Sequence, residues 1–196
     1  RWNATKIREN QGHLVLPRIR FKGVADIRMV PGNELIDSLA DSYSKVGHDE
    51  TIVITRSNKW ANVYNQGIRN RVLDRDEELC RGDLLMVVKN NYYWLDELSE
   101  AGFLANGDIM EIMSIHKQQE LYGFHFADVT VRLCDYPEHP YVDMKIILES
   151  LDCDGPSLSH EANQKLYYAV AEDYMDVLNP RARLMKIKND PFLNAV

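Results

Sequence analysis

Thr51-Ile-Val-Ile-Thr-Arg-Ser-Asn-Lys-Trp-Ala-Asn-Val-Tyr-Asn-Gln-Gly-Ile-Arg-Asn-Arg71 opens with a compact β-branched run, Ile52 to Ile54, which predicts a buried strand. The run breaks at Arg56-Ser57-Asn58, where a polar side chain can cap a following helix. Ala61, Tyr64, Ile68 and Val72 then recur at helical spacing, on a face that would pack against the strand. Strand, polar elbow and helix make half of a parallel α/β unit, and ligands favour the carboxyl end of such a strand. The elbow is therefore the first place to look for a site.

Working backwards, Ala25 to Val30 predicts another strand, stopped by Pro31-Gly32, and Leu35, Ile36, Leu39 and Tyr43 predict an amphipathic helix ending at Gly47. Residues 1–10 read as the tail of a helix, followed by a basic connector to Lys22. The first 75 residues thus read β-α-β-α, the pattern of a parallel sheet covered by helices. Working forwards, the character changes at Arg81-Gly82-Asp83. Short runs follow at Leu84–Val88, Ile109–Ile115, Phe124–Phe126, Val129–Leu133 and Val142–Leu148, separated by turns such as Asn106-Gly107-Asp108. They predict a small antiparallel barrel. Leu158, Ala162, Leu166, Val170 and Tyr174 then share one helical face, and Asn179-Pro180 ends that helix. Arg181, Arg183, Lys186 and Lys188 form a last basic segment.

The 196 residues suffice for one large or two small domains, and 45% hydrophobic with 27% charged residues is a globular balance. The net charge of -7 argues against a wholly nucleic-acid-coated surface, yet it is unevenly spread. Residues 1–30 hold seven Lys or Arg against two acids, and residues 56–75 hold five against Asp74 alone. Such a basic face either contacts phosphate or is simply solvated. Cys80, Cys134 and Cys153 lie far apart, without metal-ligand spacing, which points to a reducing compartment. With no secretory leader and no apolar run near the roughly 20 residues of a membrane helix, the expectation is a cytoplasmic protein without membrane contact. The start at Arg1-Trp2 and the stop at Phe192–Val196 read as the ends of an excised fragment.

No P-loop, Gly-x-Ser-x-Gly elbow, His-Glu-x-x-His or Cys-x-x-Cys occurs, and the six histidines are scattered. Asp152-Cys153-Asp154-Gly155 starts like a calcium loop but lacks the downstream glutamate, so it reads as a turn. No catalytic residue and no metal ligand is assigned. Thr55, Arg56 and Asn58 do place a hydroxyl, a guanidinium and an amide beside the positive end of a helix, which suits a phosphate. The alternative is a plain helix cap with a solvated arginine. Asn65 and Arg69, further along the helix, could reach only a ligand lying along it. Tyr92, Tyr93 and Trp94 could stack bases, or form a buried aromatic cluster.

Thr55-Arg56-Ser57-Asn58, with Ala61, Asn62, Asn65 and Ile68-Arg69 following, resembles the strand–helix segment in the second RecA-like domain of superfamily 1 DNA helicases, closest to their RecD-like and Dda-like branch. Gly82-Asp83-Leu84-Leu85-Met86-Val87 with Lys89-Asn90-Asn91-Tyr92, then Asn106-Gly107-Asp108, resembles the opening of the SH3-like barrel inserted in that domain. Asn3–Arg8 is similar to the end of the helix after the family's arginine-containing motif IV. The resemblance covers about residues 1–120 and the last ten or so. It implies a truncated RecA-like parallel sheet in residues 1–81, an SH3-like barrel in 82–155, a helical insertion in 156–179 and a return to the RecA-like domain in 180–196. The implied function is the C-terminal part of an ATP-dependent DNA helicase, inactive alone, with ATP and Mg2+ bound by the parent protein and no cofactor in this piece. The implied partners are single-stranded DNA and the first RecA-like domain. Thr55, Arg56, Asn58, Asn65, Arg69 and Asn90 are the implied DNA contacts. The competing expectation is a protein-interaction module of a repair or conjugation complex. A nuclease-associated role ranks last, since no carboxylate cluster would hold two metals.

Overall fold

Two turns of the same construction organise the sheet. In the computed structural model, which describes every residue except 1, 13–15, 49, 97–98, 154 and 156, Asp83 closes one turn by accepting the Cys80 amide at 2.8 Å. Asp108 closes the other by accepting the Ala105 amide at 2.7 Å. Each aspartate follows a glycine at positive φ, Gly82 at 82° and Gly107 at 103°, where a side chain would strain the backbone. The turns sit at opposite ends of a shared ladder. Gly82 donates to Ile112 O at 2.7 Å and Ile112 to Asp83 O at 2.9 Å, while Val87 donates to Asp108 O at 2.9 Å and Gly107 to Val87 O at 2.8 Å. The two Gly-Asp dipeptides thus fix the register of β1 (Leu84–Met86) on β2 (Ile109–Leu121).

β3 (Phe124–Leu133) and β4 (Val142–Ile147) complete a four-stranded antiparallel sheet of order β1-β2-β3-β4, curled into half a barrel. Irregularities between Ile112 and Ser114 and between Ile115 and Lys117 bend β2. One face carries Met110, Ile112, Ala127, Val129, Val131, Met144 and Ile146 into the main core, where Val87 and Leu104 join them from the loops. Where Phe126 pairs Ile147, the other face is buried too, beneath Leu166 and Val170 of α4 (His160–Glu172), with Phe192 and Leu193 packed alongside. Each such large apolar side chain contributes roughly 1.5–3 kcal/mol on burial. Val196 lies beside β4, donating to Lys145 O at 3.0 Å and accepting from Ile147 N at 3.2 Å.

The parallel α/β sheet expected for the first 75 residues is not formed: among the described residues the antiparallel sheet is the one sheet, and the RecA-like fold class is corrected accordingly. Ala25–Val30 and Ile52–Ile54 carry no strand, and Ile52 and Ile54 are 83% and 87% exposed. The physical reason lies in pairing. A β-branched run becomes a strand only when neighbours satisfy its amides and cover its faces, and no described segment pairs with the backbone of these as a strand. The helices expected there do form, as α1 (Trp2–Glu9), α2 (Leu35–Val46) and α3 (Asn58–Arg71). The chain divides into two compact units, Arg1–Ile52 and Val53–Val196. In the first, no described residue is fully buried.

Two further differences concern length and ending. β2 and β3 run on through Lys117–Glu120 and Asp128, where polar residues interrupt the alternation, because both strands pair along a continuous hairpin. Pro180 does not merely end a helix but begins one, α5 (Pro180–Lys188), with Asn179 accepting the amides of Arg181 and Ala182 at 2.9 and 3.2 Å. The expected turn at Asp152–Gly155 and the boundary at 156 lie partly outside the described residues.

Candidate nucleic-acid interface

The elbow at residues 55–59 is built by the cap of α3. The Ser57 hydroxyl accepts the Trp60 amide at 3.4 Å, and Thr55 donates its hydroxyl to Ser57 O at 3.1 Å. These bonds occupy Thr55 and Ser57 in shaping the turn. Arg56, Asn58 and Lys59 are exposed, and among the described residues their side chains make no hydrogen bond or ion pair. No acid stands in the first turn of α3, so two cations lie uncompensated beside a helix N-terminus. Lys59 belongs with Arg56, although sequence reasoning passed over it; the signal was a second basic residue two positions into a capped helix.

Along α3, Asn58, Asn62, Asn65 and Arg69 lie on one stripe, and the structure divides their roles. Asn62 donates to Cys153 O at 3.0 Å and the adjacent Gln66 to Asp152 Oδ1 at 2.8 Å, fastening the helix to the loop after β4. Arg69 donates to both Asp83 oxygens, at 3.2 and 2.9 Å, and to Glu77 O at 2.6 Å. Arg75 adds a bond to Asp83 at 2.8 Å. Asp83 is only 5% exposed, and these partners compensate the cost of burying its charge. Arg69 is thus committed within the chain, whereas Asn65 stays exposed and unbonded.

Asn90 sits apart from the elbow residues in sequence, in the loop after β1, where its Oδ1 accepts the Asn106 amide at 2.9 Å. The aromatic run beside it separates into three environments. Trp94 is half-buried and donates to Asn194 O at 2.7 Å, Tyr93 packs edge-on against it, and Tyr92 stacks on Phe103.

A polar row also crosses the outer sheet face, from Ser114 through His116 and Thr130 to Asp143. Thr130 donates to Asp143 Oδ1 at 2.5 Å, so its oxygen is left to accept from His116 Nε2 at 2.7 Å. A Nε2 that donates its proton to Thr130 cannot also take one from Ser114 Oγ, 3.3 Å away, so His116 does not activate Ser114. Among the described residues no helix is long and apolar enough to cross a membrane. In comparison with known proteins, the chain matches no family model and no curated sequence.

Proposed function

We propose that this chain supplies single-stranded DNA contacts to an ATP-dependent DNA helicase. The observation that carries the reading is the elbow, where Arg56 and Lys59 stand unpaired beside the capped N-terminus of α3 with Asn58 between them. The order of Thr55–Asn58, Gly82-Asp83 and Asn106-Gly107-Asp108 along the chain supports it further. In this reading Arg56 and Lys59 hold backbone phosphates, Asn58 donates to a phosphate or sugar oxygen, and Asn65 extends the track along α3. Arg69 and Asn90 hold the scaffold. ATP and Mg2+ belong to the parent protein, since no P-loop stands in this sequence.

The test is fluorescence anisotropy with a labelled oligothymidine across a salt series. The wild-type chain should bind with an affinity that falls linearly on log–log axes, and Arg56→Ala should lower that slope by about 0.7, the increment for one phosphate on a single strand. A slope unchanged by Arg56→Ala, or affinity indifferent to salt, would end this reading. A second reading, a protein-docking module, is favoured by one observation. Arg181, Leu184, Met185 and Lys188 form an exposed face of α5 at positions i, i+3, i+4 and i+7. The 158–174 face lends it no support, because Leu166 and Val170 are buried in the protein's own core.

A further inference from the structure

We propose that Tyr92, backed by Phe103, is a stacking platform for one unpaired nucleobase; this rests on the single-strand reading above. Asn91 and Leu104 exchange both backbone hydrogen bonds, at 2.8 and 2.9 Å, and form an isolated antiparallel bridge. The next residues out, Tyr92 and Phe103, are therefore cross-strand neighbours, which is why their rings meet. Their centroids are 4.7 Å apart and their planes 22° from parallel. With one face of its ring on Phe103, Tyr92 is still 65% exposed, so the accessible surface belongs to the opposite face and the edge.

The platform is held from several sides. Asn91 Nδ2 donates to Asn194 O at 2.9 Å, Asn91 Oδ1 accepts the Tyr93 amide at 2.9 Å, and Leu104 is fully buried. An aromatic ring fixed in this way, with a free face, accepts any base, because every base has a π-face. Lys89 and Asn90, both exposed, precede it in the same loop. Asp96 and Glu100 follow in the same loop and give phosphate no advantage there. The ligand group is thus the base itself, and Tyr92 should add affinity without adding salt dependence.

The experiment uses the full chain with two labelled 15-mers, oligothymidine and a strand of the same length made wholly of abasic sites. Wild type should prefer the strand with bases. Tyr92→Ala should weaken oligothymidine binding by roughly 5- to 150-fold and leave both the salt slope and abasic binding unchanged, while Tyr92→Trp retains the preference. Tyr92→Leu, which keeps an apolar contact with Phe103 but no π-face, should behave as Tyr92→Ala and guards against a folding artefact. Equal losses on both strands, or no loss in either truncated variant while Arg56→Ala still flattens the slope, would overturn the platform alone. No binding of either strand by wild type would overturn the single-strand reading with it.

Discussion

Asp83 ties α3, the following loop and the turn before β1 together, since it accepts from Arg69, Arg75 and the Cys80 amide while nearly fully buried. Asp83→Asn should leave two guanidinium groups, each about a fifth exposed, without their anion. The expected cost is about 3 kcal/mol, read as a lowered urea midpoint; a loss under ~1 kcal/mol would show that solvent replaces the pair. His125 gives a pH-dependent counterpart. Its Nδ1 lies 2.9 Å from Glu149 Oε1, and that hydrogen bond holds the imidazole pKa above its ordinary value. The folded value being raised, the stabilising contribution is complete below the unfolded pKa of about 6.5 and disappears as pH climbs through the folded one. An NMR titration should show the elevated value in wild type and its return in Glu149→Gln. The sequence shows Asp83 as a turn residue after glycine, but its partners come from positions 69 and 75. Pairings of that kind are set by how a helix end meets a turn, which local pattern does not encode.

Among elements, α5 shows what a cap decides. Its apolar periodicity is weak, and the sequence shows only a last basic segment there, yet Asn179 at the cap accepts two of the amides that helix starts leave unpaired and Pro180 at the first position brings none. Asn179→Ala should destabilise α5 by about 1 kcal/mol, and hydrogen exchange should quicken in 181–188 but not in β3; uniform quickening would refute a local effect. The antiparallel strands were legible because alternation and Gly-Asp turns are both local signals. The same reasoning failed at Ile52–Ile54, where composition is strand-like and the required neighbours are non-local. α3 was legible from its spacing, and so was the elbow it begins. The Tyr92–Phe103 stack was not, because the bridge between Asn91 and Leu104 joins residues far apart in the chain.

For the molecule as a whole, burial is concentrated in Val53–Val196, and the residues on either side of Val53 keep apolar side chains in solvent. Thermolysin, which cuts before such residues, should nick first at Ile52 or Ile54 and leave a resistant product extending to Val196. Synchronous loss of both units in a time course would contradict the division. Within the second unit, the clamp on Asp83 has a mechanical meaning. Residues 72–82 join α3 to β1 as a loop, but Arg69 reaches across it from the helix, and Arg75 from within it, to hold the residue next to the strand. Tension applied at the elbow of α3 would travel down the helix and through the Arg69–Asp83 ion pair into the ladder of β1 and β2. The helix is thereby a lever bolted to the sheet, and cutting the bolt would route the load through the backbone of the loop and its buried anchor, Leu79.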